Sequence, residues 1–153
     1  SYSPCRYLNL FGNWSYIEGK FNDKDDNGNA QLYAGNRFRL TPKNSFAIGF
    51  DLNVPIGEKA SFYLRPTYSW KSKVFFEESN EPEFTQDAYG LLNFTAGYRF
   101  QPGKVYYEIG AFGKNVLDEK YIVDAGNSGR QIGFPTYIGG SRSVVGVMFK
   151  MGF

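Results

Sequence analysis

The sequence predicts an all-β protein, an antiparallel up-and-down sheet that crosses a membrane as part of a β-barrel. Three observations predict it. Apolar and polar residues alternate with a period of two through six segments, which marks strands with unlike faces. The segments are long, mostly about 9–12 residues, where soluble strands average about 5–6 and membrane strands about 9–11. The connections also alternate in length. They are long at 18–44, short at 55–59, long at 72–88, short at 101–104 and long at 113–143. Extended loops on one side and tight turns on the other are the habit of outer-membrane barrels.

Each segment separates its residues cleanly. From Tyr7 to Ile17 the apolar positions are Leu8, Leu10, Gly12, Trp14 and Tyr16. From Ser45 to Val54 they are Phe46, Ile48, Phe50, Leu52 and Val54. From Ala60 to Lys71 they are Ala60, Phe62, Leu64, Pro66, Tyr68 and Trp70. From Tyr89 to Phe100 they are Gly90, Leu92, Phe94, Ala96, Tyr98 and Phe100. The phase then moves to odd positions, Val105, Tyr107, Ile109 and Ala111, and the last segment supplies Val145, Val147, Phe149, Met151 and Phe153. These positions hold no charge and no Ser, Thr, Asn or Gln, in a chain that is 21% charged. The interleaved positions hold Asp51, Arg65, Lys71, Arg99, Glu108 and Lys150. Gly, β-branched and aromatic residues fill the runs and disfavour helix. Pro66 lacks a ladder donor inside the third segment, so a local bulge is expected there.

Alternation alone leaves the direction of the apolar face open. In a small soluble β-barrel it would be the core and would hold an apolar ligand. In an outer-membrane barrel it meets lipid. The aromatic residues favour lipid. If the last segment runs from the loop side to the turn side, Trp14, Tyr16, Phe46, Tyr68 and Trp70 fall near the loops. Tyr98, Phe100, Tyr107 and Phe153 then fall near the turns, with Ile48, Phe50, Leu64, Leu92, Ile109 and Val147 between. Two aromatic girdles around a mostly aliphatic middle fit the two membrane–water interfaces. Trp14, Tyr16, Tyr68, Trp70, Tyr98 and Phe100 are thus expected at the interfaces. Asp51, Arg65, Lys71, Arg99, Glu108 and Lys150 are expected to face the lumen.

Composition narrows the chemistry. The 153 residues carry 17 Lys and Arg against 15 Asp and Glu, a net charge of +2, with no basic run that would seat a nucleic acid. There is no His and one Cys, which removes the commonest general base, the commonest zinc ligand and any internal disulfide or Cys cluster. No catalytic residue and no cofactor are therefore expected. The longest charge-free runs, Tyr7 to Ile17, Ala88 to Tyr98 and Gln131 to Ser141, fall short of the roughly 20 apolar residues of a membrane helix. The first residues include no Met and no charged-then-apolar leader, so no signal peptide is expected, and the start reads as internal or processed.

Two loops invite a site reading. Asp23, Asp25 and Asn27, followed by Gly28, match the first half of a calcium loop, D-x-[DN]-x-[DN]-G. The twelfth position, which should be a bidentate Glu, is Ala34, and a solvated Asp/Asn/Gly turn accounts for the same residues. The loop from Gly126 to Arg142 carries Arg130, Tyr137 and Arg142 among glycines, residues suited to an anionic or aromatic ligand. Glu77, Glu78, Glu81 and Glu83 read as a solvated acidic turn, since nothing holds two of them at a working separation.

The C-terminal third resembles a TonB-dependent outer-membrane receptor. Asn115, Leu117, Asp118 and Tyr121 resemble the family's Asn-x-Leu/Phe-Asp-x-x-Tyr pattern at its penultimate strand. Tyr137, Gly139, Ser141 and Arg142 resemble its Tyr-x-Gly-x-Pro-Arg entry to the last strand, with Ser141 in place of Pro. Phe153, after alternating apolar residues, resembles the family's assembly signal. Tyr16 to Phe21 and Gly35 to Pro42 resemble a loop between two late strands.

The resemblance implies a plugged barrel of the 22-stranded type, of which residues 1–153 would be the last six strands without the plug. The whole protein would import a scarce, bulky nutrient of the siderophore-iron, cobalamin or glycan class. It would sit in the outer membrane of a Gram-negative bacterium. Its implied partners are outer-membrane lipid, the remaining strands and plug, TonB and the barrel-assembly machinery. Six membrane strands cannot close alone, because unpaired edges in lipid cost several kcal/mol per group and single-chain barrels begin at eight strands. The chain is accordingly expected to be a fragment of a longer receptor or, alternatively, a protomer of an oligomeric pore.

Overall fold

The computed structural model describes residues 1–126 and 133–153. The strands follow in chain order as β1 (Tyr2–Cys5), β2 (Leu8–Tyr16), β3 (Asn44–Ile56), β4 (Ala60–Lys71), β5 (Val74–Phe75), β6 (Thr85–Gln86), β7 (Tyr89–Phe100), β8 (Tyr106–Lys114), β9 (Ile122–Ala125), β10 (Tyr137–Gly139) and β11 (Val144–Gly152). Seven of them form one antiparallel sheet in the order β1, β2, β3, β4, β7, β8, β11. Each is bonded to its neighbour in the sequence of long strands, the up-and-down arrangement that the alternation predicts. β1 and β11 are the two edges, so the sheet is open.

The pairing register explains why the apolar phase moves from even to odd positions. Phe100 of β7 lies opposite Tyr107 of β8, so even positions on one strand share a face with odd positions on the next. All six apolar sets thereby fall on one face. One row across it reads Leu8, Leu52, Leu64, Ala96, Ala111 and Val147, aliphatic on every strand from β2 to β11. Toward the loops a second row holds Trp14, Phe46 and Trp70. Toward the turns two rows hold Val54, Phe62, Tyr98, Ile109 and Phe149, then Phe100, Tyr107 and Met151. Trp70 pairs with Gly90 and Ala60 with Phe100, and that span at about 3.3 Å per residue is about 33 Å of strand. At a tilt of about 40° it stands about 25 Å tall, the height of a lipid-facing band.

This face closes over no core. Val147 is 87% exposed and Ile48 52%, while the ionised Glu108 on the opposite face is 4% exposed. Apolar residues lie bare and a charge is covered, the reverse of a soluble domain. The sealed interior that a small soluble barrel requires is absent from the described residues.

Three details differ from the sequence reading. β1 adds a seventh strand. Its four residues are too few to show alternation, and it is joined to β2 through Arg6 and Tyr7 alone. The long connections also contain paired short strands, β5 with β6 and β9 with β10. At Pro66 there is no bulge. The β3–β4 register is identical on both sides, Gly49 opposite Thr67 and Leu52 opposite Leu64, and only the two intervening pairs are missing. The ladder simply omits the bonds that a residue without N–H cannot make. Gly49 makes room beside it, since a Cβ there would stand 2.5 Å from the Pro66 carbonyl oxygen.

The buried apolar cluster lies off the sheet. Val74, Phe76, Phe84 and Ala125, with Ile122 against them, pack where the connection 72–88 meets β9. The long connections therefore carry their own core, above the wall.

Candidate functional site

Polar side chains gather on the face opposite the apolar rows. Arg99 lies opposite Glu108, and Glu108 opposite Lys150, on three adjacent strands. Tyr63 approaches from a fourth, β4. Its ring crosses β7 over Gly97 and reaches Gly110 of β8, where added Cβ atoms would stand 2.6 Å and 3.0 Å from the phenol oxygen. The two glycines clear a lane that any side chain would block. Tyr63 Oη donates to Glu108 Oε1 at 2.8 Å. Arg99 donates to Glu108 Oε2 through Nε at 3.0 Å and Nη2 at 2.8 Å, and Lys150 Nζ donates to Oε1 at 3.3 Å. The Tyr63 ring also lies beneath the guanidinium carbons of Arg65 at 5.1 Å and Arg99 at 5.5 Å. Arg65 in turn donates to Asp51 at 3.0 Å. Five of the six predicted polar-face residues thus form one connected patch. The sixth, Lys71, shares the face and holds its ammonium 6.0 Å from the Tyr89 ring centre.

At the other end the outer connections are tied to one another. Asn80, at φ 55, bonds both ways to the Arg37 backbone. The Leu40 N–H donates to the Phe75 carbonyl at 2.8 Å. In the last connection the buried Asn115, at φ 46, donates to the carbonyls of Glu119 and Ser141 at 2.9 Å each and accepts from the Glu119 N–H. Asp118 is clamped by Arg142, whose Nε donates at 2.8 Å and whose Nη2 makes a second, shorter bond, and it also accepts the Ser143 N–H. The Arg142 guanidinium holds the Asp118 carboxyl well below its usual range. Tyr89 and Tyr121 stack at 4.6 Å where this connection meets the sheet.

A family model for the TonB dependent receptor-like β-barrel matches residues 2–116. The chain belongs to the TonB-dependent receptor β-barrel family. That is a family of receptors, not of enzymes. No curated protein sequence matches the chain. Among solved structures, it resembles the ferric yersiniabactin uptake receptor FyuA from Yersinia pestis, with a TM-score of 0.79 at 16% identity over 98% of this chain and 22% of that one. It also resembles BauA, the ferric preacinetobactin receptor from Acinetobacter baumannii, with a TM-score of 0.73 at 15% identity over 97% of this chain and 20% of that one. At such identities the likeness is one of fold. This receptor-barrel chain spans about a fifth of the length of the two receptors.

The predicted loop residues fare differently in this family member. Asp25 turns inward on its own loop. It accepts the N–H groups of Asn27 at 2.9 Å and Asn29 at 2.8 Å and the Asn29 side-chain amide at 3.1 Å, and these bonds, the Asn29 side chain foremost, hold its carboxyl below the ordinary value. Asp23 offers its carbonyl to Gln31, and Asn27 offers its N–H to Asp25. The described residues contain no cluster suited to a metal ion, and the Asx turn is the better account of these three. Tyr137 opens β10, opposite Ala125, half exposed. Arg142 is committed to Asp118. Arg130 lies outside the described residues.

Sequence reasoning missed Tyr63, Asn80 and the pinning role of Asn115. The signal for Tyr63 was present: Gly97 and Gly110 stand on the polar phase of adjacent strands, and paired glycines in strands mark the close approach of another group. Asn80 left no such mark, because its two bonds to Arg37 reach backbone groups 43 residues away.

Proposed function

We propose that the chain is the C-terminal portion, residues 1–153, of a TonB-dependent receptor in the outer membrane of a Gram-negative bacterium. One observation carries the reading: the apolar positions of six strands align into aliphatic and aromatic rows on a single exposed face. Trp14, Tyr16, Tyr68 and Trp70 sit at one lipid–water interface and Tyr98 and Phe100 at the other. Asp51, Arg65, Lys71, Arg99, Glu108 and Lys150 line the lumen. Phe153 ends the strand that the assembly machinery reads.

The whole receptor imports a scarce, bulky nutrient, and the siderophore-iron class is favoured because two structural neighbours are named as receptors for ferric preacinetobactin and ferric yersiniabactin. Its partners are lipid, the upstream strands and plug of the parent chain, and TonB. This portion supplies wall, outer loops and the terminal strand, and it performs no bond chemistry. Tyr137 and Arg142 belong to the loops that meet the ligand from outside, and Arg130, outside the described residues, is a candidate by sequence alone. The family match, with a chain that spans about a fifth of the two receptors it resembles, favours the fragment reading over an oligomeric pore.

The test is uptake. The parent receptor, expressed in cells stripped of their own receptors, should import labelled ferric siderophore only when TonB is present. Uptake of cobalamin or an oligosaccharide instead would keep the receptor and change the cargo. TonB-independent leakage of small solutes would favour a pore. A purified chain that stays monomeric and cooperatively folded in detergent-free buffer would refute lipid contact altogether.

A further inference from the structure

A small pocket of about 110 Å³ lies where the three long connections meet the wall. Leu40 of the first, Val74 and Phe76 of the second and Ile122 of the last give it apolar sides. Gln86, Lys71 and Tyr89 also line it. Gln86 is committed at both ends, its Oε1 to the Ile122 N–H at 2.7 Å and its Nε2 to the Asp87 carbonyl at 2.9 Å. Lys71 and Tyr89, opposite each other on β4 and β7, are not. Lys71 enters no ion pair among the described residues, and its ammonium faces the Tyr89 ring 6.0 Å away. Tyr89 is 9% exposed, and its ring is fixed by the stack on Tyr121. Its hydroxyl makes no hydrogen bond among the described residues. That oxygen is not sealed either, since Ser79 Oγ is the one sealed and unpartnered side-chain atom among them. A nearly buried phenol without a partner calls for one.

We propose that Lys71 and Tyr89 form a subsite for one short aliphatic carboxylate arm of the cargo. The inference rests on the receptor reading above. The pocket offers two unspent donors, an ammonium and an O–H, and a carboxylate has an oxygen for each. A phosphate would bring more oxygens than these donors satisfy, and apolar walls would leave the rest unpaired. Size selects the body of the arm. The pocket holds about four waters at ~30 Å³ each and falls short of the ~150 Å³ that takes a benzene ring. A short alkyl chain fits, and an aromatic acid does not.

The test measures butyrate binding to the purified parent receptor in detergent by saturation-transfer NMR. Butyrate should bind, and neutral butyramide and the larger benzoate should bind several-fold more weakly. Lys71→Met should abolish the butyrate signal, and Tyr89→Phe should weaken it several-fold. Lys114→Met, on the same face but outside this pocket, should leave it unchanged. Butyramide or benzoate binding as tightly as butyrate overturns the subsite, as does butyrate binding that survives Lys71→Met. No butyrate binding in a receptor that still imports through TonB removes the subsite alone. Lys71-dependent butyrate binding in a protein that imports nothing through TonB removes the receptor reading, and the cargo arm with it.

Discussion

Asn80 and Arg37 grip each other through the backbone of one and the side chain of the other. The Arg37 N–H donates to Asn80 Oδ1 at 2.7 Å, and Asn80 Nδ2 donates back to the Arg37 carbonyl at 2.9 Å. The amide does for Arg37 what a neighbouring strand does for a strand residue. It also donates to the Glu77 carbonyl at 3.2 Å, which secures its own turn. This side chain joins two outer connections that the Leu40–Phe75 and Asn36–Glu78 bonds also tie together. Asn80→Ala should therefore loosen them by about 1–3 kcal/mol, the cost of leaving half-buried backbone groups unpaired. Hydrogen exchange at the Arg37 amide should accelerate and proteolysis within 17–43 should rise. The amides of β3 and β4 should keep their protection.

Leu64 and Lys71 lie on opposite faces of β4, so they test which face meets lipid. Leu64 belongs to the all-aliphatic row. Leu64→Arg should destabilise the fold in a bilayer by about 2–4 kcal/mol. Lys71→Leu should change it by less than about 0.5 kcal/mol, as at a wet wall. Equal costs in a denaturant titration of the parent receptor would contradict the assignment of faces.

Tyr63 depends on Gly97 for its path to Glu108. An Ala Cβ at 97 would stand 2.6 Å from the phenol oxygen and 2.9 Å from the Ile109 carbonyl oxygen. Gly97→Ala should cost about 1–3 kcal/mol by overpacking, and Tyr63→Phe about 1.5–3 kcal/mol by removing a bond to a charged group. Both changes break the same Tyr63–Glu108 bond. Their effects on thermal unfolding in detergent should fall short of the sum.

Asp118 sets the acid limit of the last connection. The Arg142 guanidinium, followed by the Ser143 N–H, depresses its folded pKa below the ordinary 3.8. Stability from a depressed carboxyl is complete above the unfolded value and is lost as pH falls through the folded one. Exchange at the Ser143 amide, corrected for intrinsic rates, should thus hold constant down to about pH 4 and rise only in stronger acid. Asp118→Asn should exchange fast at every pH. A wild-type rise centred near neutrality would show that Arg142 is not the partner that matters.

Most of the wall was legible in the residues. A strand's side chains alternate by geometry, so Phe46, Ile48, Phe50 and Leu52 declare a face without reference to any partner. Trp14, Trp70, Tyr98 and Phe100 fall toward the strand ends in the sequence, and the pairing register keeps them in rows there. The absence of His and the lone Cys5 argued against most catalytic and metal chemistry, and the near balance of charge argued against a nucleic-acid partner.

Contacts across strands were not legible, and they decide the site. That Arg99 and Lys150 converge on Glu108 depends on register, which places positions 99, 108 and 150 in one row. That Tyr63 joins them depends on two glycines opening a lane across β7. Asp25 matched a calcium ligand in pattern, and only its folded loop revealed that its oxygens accept from Asn27 and Asn29. By itself, the sequence determined the six long strands, which of their faces is apolar and toward which strand end the rings lie, since these follow from local period and side-chain chemistry. The tertiary structure alone decided which charges meet, which loops are joined and where a buried core forms above the wall. Those outcomes rest on distances between residues that the chain separates by tens of positions.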